Sequence, residues 1–372
     1  MRRYFYSFMT QPQSNREFSD QYAFRPTGST TAALISITHQ LSEMLQESPF
    51  VHLIALDFSK AFDTVRHAYL AEQLAALPIP DNIYNWIIAL LSNRQHCTKF
   101  LGTISDAIEI NASIVQGSGL GPGNFATAIS KLKPLQPRNR LLKYADDSYL
   151  LVPAENSGTI TSEVDHISAW AIECNLKLNQ HKLQEMIVHR PRSKLDNIHL
   201  TGTKSGFKRV ESMNILGVTL TGKFDFDKHI DNICRRARQS LYALRVLAAH
   251  GLSGSSLHDV VRATTLTRML YASPAWWGFV GQDGRTRLQA LLRRLVRLRY
   301  LPENYPSFEQ LCQSADTRLF GAVCADPGHV LHDLLPPIKT VVYALRPRKH
   351  DRILPVADSL ARKTFIIRMI YS

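Results

Sequence analysis

The order of apolar and polar positions predicts a mixed α/β stretch followed by a basic helical one. Between Ser29 and Leu45, Ala32, Ala33, Leu34, Ile37, Leu41, Met44 and Leu45 recur at helical spacing and predict an amphipathic helix. Pro49 interrupts, and residues 51–56 form a short apolar run, read as a buried strand that ends at Asp57. A helix is expected over 65–76, stopped by Pro78 and Pro80, and another over 81–91. In the latter, Asp81 is the expected N-cap, with Trp86, Ile87 and Leu90 facing inward. Residues 97–115 suit one or more strands, 141–145 and 148–152 read as two strands joined at Asp146-Asp147, and 161–174 as a helix. Residues 183–189 and 214–221 are further candidate strands. Beyond about 225 the pattern turns helical, with Ile230, Ile233, Ala237, Leu241, Leu244 and Leu247 on one stripe. Leu288, Leu291, Leu292, Leu295 and Leu298 form a second stripe, flanked by Arg293, Arg294, Arg297 and Arg299.

Charge adds a partner class to this picture. The chain has 372 residues, 45% of them hydrophobic, and a formal net charge of +13. The excess is lopsided: residues 1–150 hold 13 Lys and Arg against 12 Asp and Glu, and the remainder hold 31 against 19. A basic C-terminal half suits a polyanion, nucleic acid being the usual one, although an Arg-rich solvated surface has the same composition. Cys97, Cys174, Cys234, Cys312 and Cys324 form no CxxC pair, which argues against a zinc knuckle and a dense disulfide framework. The expected setting is therefore reducing and intracellular. Residues 1–10 lack the apolar core of a signal peptide, and no run approaches the roughly 20 apolar residues of a membrane helix.

Candidate chemistry lies where acidic residues meet strand ends. Asp57 follows the apolar run 51–56, and Asp146-Asp147 sits inside an otherwise apolar hairpin. Carboxylates held together raise one another's pKa, a cost that a divalent metal relieves. Two such ions held by carboxylates from separate strands activate a 3′-hydroxyl and stabilise a leaving pyrophosphate. An isolated Asp-Asp pair reads first as an ordinary solvated hairpin turn. A second strand-end aspartate and the loop 117–123, with four glycines and a proline between them, tip the reading toward a metal site.

Four segments then carry a resemblance: Gln21-Tyr-Ala-Phe-Arg-Pro-Thr-Gly-Ser-Thr30, Leu56-Asp-Phe-Ser-Lys-Ala-Phe-Asp63, Gln116-Gly-Ser-Gly-Leu-Gly-Pro122 and Tyr144-Ala-Asp-Asp147. In this order they resemble the reverse transcriptases of non-LTR (LINE-type) retrotransposons. Asn175-Leu-Lys-Leu-Asn179 with Lys182, and Ile215-Leu-Gly-Val218, are similar to the two motifs that follow in that family. A looser likeness continues through Tyr271-Ala-Ser-Pro-Ala-Trp-Trp277 and the Arg-rich helix after it.

The resemblance implies roles. Asp57, Asp146 and Asp147 match the triad that binds two Mg²⁺ ions, with Mn²⁺ as a substitute, and the carbonyl of Phe58 would lie near a metal. Phe62 matches an aromatic residue beneath the incoming sugar, where a ring excludes a 2′-hydroxyl; a core aromatic on the helix face is the alternative. Asp63 either belongs to the motif or caps a helix. Gln116, Gly117 and Gly119 match the segment that touches nucleotide and template, with Pro122 stiffening the start of the next helix. Arg25 resembles a template or nucleotide contact, and is otherwise an exposed loop arginine. Lys182 matches a residue that protonates or neutralises the leaving pyrophosphate, or is a surface charge. Leu216 and Gly217 match the hairpin that grips the primer, and Arg235, Arg236 and Arg238 either track a phosphate backbone or form a solvated face.

The implied fold is α+β, a right-hand polymerase. After a poorly defined lead-in over 1–20, fingers and palm with a small antiparallel sheet would span 21–221, a helical thumb 222–300, and a helical extension 301–372. The implied reaction is RNA-directed DNA synthesis from deoxynucleoside triphosphates, on an RNA template with a DNA primer and no membrane involvement. Neither the family's earlier fingers segment nor an endonuclease domain is recognisable before Gln21, so an N-terminally truncated copy is expected. Two rivals remain: a catalytically impaired, nucleic-acid-binding remnant, and a metal-dependent nuclease, in which Phe62 and Gln116 would have no task.

Overall fold

A computed structural model describes residues 17–115, 117–191, 207–339 and 350–372. Close contacts divide the chain into two compact units that interleave along the sequence. The first takes in the described residues of Met1–Ser29, His52–Glu185 and His199–Arg209, and the second those of Thr30–Val51, Met186–Ile198 and Val210–Ser372.

A five-stranded sheet, most of it in the first unit, has the order Lys208–Arg209, Gln184–His189, Phe50–Leu56, Asp147–Pro153, Arg140–Tyr144. The central strand, Phe-Val-His-Leu-Ile-Ala-Leu, is buried along nearly its whole length. That explains its continuous rather than alternating apolar pattern. Its core joins Ile54, Leu56, Phe125, Leu150, Val152 and Trp170.

Beside the outer strand, Gln21 bridges Lys143, and the Tyr22 N–H donates to the Lys143 carbonyl at 2.9 Å. The Lys143 ammonium is wholly buried. It donates to the carbonyls of Ile129 and Leu132 and lies 3.1 Å from Asp20 Oδ1. Burial lowers its pKa to about 8, with Asp20 opposing the shift.

The 81–91 helix forms over Asp81–Leu91, but Pro80 holds the N-cap position and Asp81 stands in the first turn. Ile87 is buried as expected, whereas Trp86 is 44% exposed, because the apolar stripe runs through Ile87 and Leu91 instead. The helix expected over 65–76 forms over His67–Ala75, and a separate short helix, Ala61–Thr64, precedes it. At the break, the Val65 carbonyl accepts from Ser113 and Arg66 bridges Ala112, so backbone pairing with 112–113 replaces helical bonds. Asp63 lies in the first turn of the short helix, whose N-cap is Lys60. The 97–115 region forms two small hairpin pairings, Arg94–His96 with Ile108–Ile110 and Lys99–Phe100 with Thr103–Ile104.

The second unit is mainly helical. Helix Thr30–Glu47 packs against Ser273–Trp276 and the last helix, Phe365–Tyr371. The hairpin Ser212–Ile215/Val218–Thr221 precedes the long helix Asp227–Ala249, which packs on Gln282–Arg297. Both predicted leucine-rich stripes are buried, except that Leu247 and Leu298 stand exposed near their helix ends. Phe224 and Phe226 both pack on Phe279, and Trp276 lies edge-on to Trp277. Arg235, Arg236 and Arg238, and Arg293, Arg294 and Arg297, lie on exposed helix faces. No described helix is long and apolar enough to cross a membrane.

Candidate active site

The catalytic candidates sit at one edge of the first unit's sheet. The strand ending at Leu56 neighbours the strand that begins at Asp147, so Asp57 and Asp147 leave adjacent strands, which lie about 4.8 Å apart. Tyr144 pairs with Asp147, leaving Ala145-Asp146 as a two-residue turn. Ala145 takes a left-handed φ of 55°, as such tight hairpin turns require. The turn is held from the side: the carbonyl of the buried Gln21 side chain accepts from Ala145 N at 3.2 Å and Ala23 N at 2.9 Å.

Electrostatics ties the three aspartates together. Asp147 is raised above the usual carboxylate range, first by burial and then by the negative charges of Asp146 and Asp57. On the other side, Lys182 Nζ stands 3.4 Å from Asp57 Oδ1 with most of its side chain in solvent. Lys182 is brought there by backbone: the Asn179 N–H donates to the Asp57 carbonyl at 2.8 Å, and Lys177–Leu178 pairs with Phe58–Ser59. Two sequence motifs more than a hundred residues apart are thereby locked together at the Asp57 end of the sheet.

The donor set consists of hard carboxylate oxygens, the chemistry that Mg²⁺ and Mn²⁺ select, and its mutual repulsion is the kind a divalent cation relieves. Among the described residues no group of three acidic, His or Cys side chains is already drawn to coordinating distance. The fit therefore rests on donor type and charge.

Phe62 is half-buried and stacks on Phe125, ring centroids 4.1 Å apart, with Phe24 edge-on at 6.2 Å. Its inner face is thus core packing, while part of the ring remains open to solvent. Phe58 is buried against Trp170. Gln116 lies outside the described residues. Gly117 has φ +78° and Gly119 an open surround; a side-chain carbon at either would meet nothing among the described residues within 4 Å. The tight position of that loop is Gly121, where added carbon would lie 2.9 Å from the Val115 carbonyl oxygen. Pro122 stands in the first turn of helix Gly121–Ala128. Arg25 is not an exposed loop arginine: it is 8% exposed, and its Nη1 donates to the Phe18 carbonyl at 2.7 Å. Burial inside the turn that Gly28 closes gives it a structural task.

In the second unit, Leu216 and Gly217 form the two-residue turn of their hairpin, with φ of 47° and 86°. Asn214 Oδ1 accepts from Gly217 N, and the Tyr271 hydroxyl donates to the Leu216 carbonyl at 2.9 Å. Sequence reasoning singled out neither Gln21 nor Tyr271 for a task. Both begin motifs that were visible, but only the fold shows which backbone atoms they hold.

The reverse transcriptase (RNA-dependent DNA polymerase) family profile matches residues 7–220. The chain belongs to the reverse transcriptase family. Two relatives from Drosophila melanogaster are the probable RNA-directed DNA polymerase from transposon BS and the RNA-directed DNA polymerase from mobile element jockey. The first is 25% identical over 296 residues, 74% of this chain and 32% of that protein. The second is 25% identical over 240 residues, 62% and 26%. This reverse transcriptase is of the non-LTR, LINE type that its motifs resembled. It spans about a third or less of the length of these curated relatives. Among solved structures, a telomerase from Candida tropicalis in complex with a fragment of telomeric RNA is similar at TM-score 0.48 and 12% identity, over 79% of this chain and 44% of that one. Members of the reverse transcriptase family generally use divalent metal ions.

Proposed function

We propose that this chain carries out RNA-directed DNA synthesis by two-metal nucleotidyl transfer. The observation that carries the reading is the electrostatic coupling of Asp57, Asp146 and Asp147 at one sheet edge, in a chain of this family. Those carboxylates would hold two Mg²⁺ ions, or Mn²⁺ in their place, which when bound acidify the primer 3′-hydroxyl and neutralise charge on the leaving pyrophosphate. The remaining steps fall to the chain's own groups. The exposed part of Phe62, backed by Phe125, lies under the incoming sugar and leaves no room for a 2′-hydroxyl. Lys182, tethered beside Asp57, supplies a proton or positive charge to the departing pyrophosphate. The open surround of Gly117 and Gly119 lets template or nucleotide lie against backbone. Leu216 and Gly217 offer backbone to the primer strand, and the exposed arginines of the second unit bind its phosphates. The substrates are an RNA template, a DNA primer and deoxynucleoside triphosphates.

The test is primer extension with poly(rA), oligo(dT), dTTP and Mg²⁺. Extension by the unsubstituted chain that vanishes with Asp146→Ala/Asp147→Ala supports the polymerase. Binding of the primer-template without extension, or shortening of the primer, would each contradict it.

A further inference from the structure

A cavity of about 240 Å³ lies in the second unit, between the Leu216-Gly217 turn, the long helix Asp227–Ala249 and residues 265–271. Two side chains in its wall are buried and carry polar atoms that have no hydrogen-bond partner among the described residues. They are Thr265, 1% exposed, with its hydroxyl unpaired, and His229, 6% exposed, with Nε2 unpaired. Native interiors seldom leave such groups unsatisfied, and each exception asks for a cause. Thr265, one of the residues that line the cavity, stands on a π-helical stretch, Arg262–Leu266, a distortion that recurs at functional sites.

The chemistry of the wall is specific. The Thr219 N–H donates to His229 Nδ1 at 3.4 Å, which leaves the ring proton on Nε2 as a free donor. Burial and the neighbouring Arg236 keep that ring neutral, with a pKa lowered to about 4. The floor is apolar, from Ile233, Ala237 and Met269, and the exposed guanidinium groups of Arg236 and Arg268 stand at the rim. No carboxylate lines the cavity among the described residues. An occupant must therefore offer acceptor atoms to two buried donors, a flat apolar face to the floor, and negative charge to the rim. The volume is below the roughly 300–1,000 Å³ of ordinary small-molecule pockets, too small for a nucleoside triphosphate.

We infer that this cavity receives one unstacked nucleobase of a bound nucleic-acid strand, its ring atoms accepting from His229 Nε2 and Thr265 Oγ1 and its adjoining phosphate held by Arg236 and Arg268. Ring nitrogens and carbonyls supply the acceptors, the base supplies the flat face, and the phosphodiester supplies the charge. Inorganic phosphate alone would leave the apolar floor uncovered. A free nucleoside monophosphate shares the chemistry, and the experiment separates it from a base within a strand. The inference takes from the proposed function only that the ligand is nucleic acid.

The test uses the full chain in EDTA without nucleoside triphosphate, so a failure leaves the outcome of primer extension untouched. The probes are a 12-nucleotide RNA with one central 2-aminopurine and, separately, 2-aminopurine ribonucleoside monophosphate. Unstacking raises 2-aminopurine emission. Emission is expected to rise when the RNA binds, Thr265→Val to weaken RNA binding about tenfold through the lost hydrogen bond, and Ala237→Leu to fill the cavity and remove the emission rise. Thr265→Val is isosteric and removes an unpaired hydroxyl, so its melting temperature should equal or exceed that of the unsubstituted chain. Unchanged RNA affinity and emission in both variants would make the cavity an empty packing defect and overturn the inference. The free monophosphate binding as tightly as the RNA, with the same loss in Thr265→Val, would overturn the strand as its source.

Discussion

Asp147 and its two acidic neighbours trade stability for chemistry, and pH reads the exchange. Burial, Asp146 and Asp57 raise the Asp147 pKa above the ordinary 3.8, so the folded chain keeps a proton that the unfolded chain has already lost. The stability this group contributes is present at low pH and falls away as pH rises from 3.8 through the raised folded value. In metal-free buffer Asp147→Asn should therefore melt higher than the unsubstituted chain at neutral pH, by about 1–3 °C, with the gap closing toward pH 4. Thermal scans across that range check it; an Asn variant that melts lower at neutral pH would remove the repulsion from the account. Phe62 offers a second residue-scale test. Its stacking on Phe125 fixes the ring, so Phe62→Val should admit ribonucleotides and shrink the dTTP-over-UTP preference by about tenfold or more. Unchanged sugar discrimination would leave Phe62 as core packing only. The aspartates stood out in the sequence as carboxylates at two strand ends with a glycine-rich loop between them, and Phe62 through the family its motif resembles. The structural task of Arg25 did not: an arginine beside proline reads as surface, and only the fold shows that its guanidinium is used on backbone inside a turn.

At the scale of elements, the catalytic hairpin depends on parts that precede it by more than a hundred residues. The buried Gln21 side chain holds Ala145 N, and the Asp20–Tyr22 backbone pairs with Lys143. Losing that acceptor leaves a buried N–H unpaired beside a strained turn, a cost of about 1–3 kcal/mol. Gln21→Ala should lower kcat by about tenfold with little change in KM, because the side chain positions Asp146 and Asp147 rather than touching substrate. Steady-state kinetics on oligo(dT)·poly(rA) separates the two constants; a rise in KM with kcat intact would assign Gln21 to substrate binding instead. Most elements were legible from periodicity: the Thr30–Glu47 helix, the 50–56 strand, the hairpin at 140–153 and the buried stripes of the long helices. Where periodicity failed, the competing force was tertiary. The helix expected from Val65 starts only at His67 because the backbone of Val65 and Arg66 pairs with 112–113. Trp86 is exposed because eight of the helix's eleven residues are apolar, so the sequence did not single out the stripe through Ile87 and Leu91 that is buried.

For the whole molecule, the family and the order of its motifs were written in the chain, while the division into compact units was not. Helix Thr30–Glu47 belongs with elements beyond residue 210, since Ser273–Trp276 and Phe365–Tyr371 supply its packing partners. Contacts of that range leave no local signature. The central claim concerns carboxylates from distant segments that act on shared metal ions, and Mn²⁺ counted by electron paramagnetic resonance tests it most directly. The chain is held with a dideoxy-terminated oligo(dT)·poly(rA) and dTTP, and bound Mn²⁺ is measured against Asp57→Asn. Two tightly bound ions per chain, with at least one lost in Asp57→Asn, is the expected result. Equal stoichiometry and affinity in both proteins would mean that Asp57 shares no ion with Asp146 and Asp147, and would contradict the account.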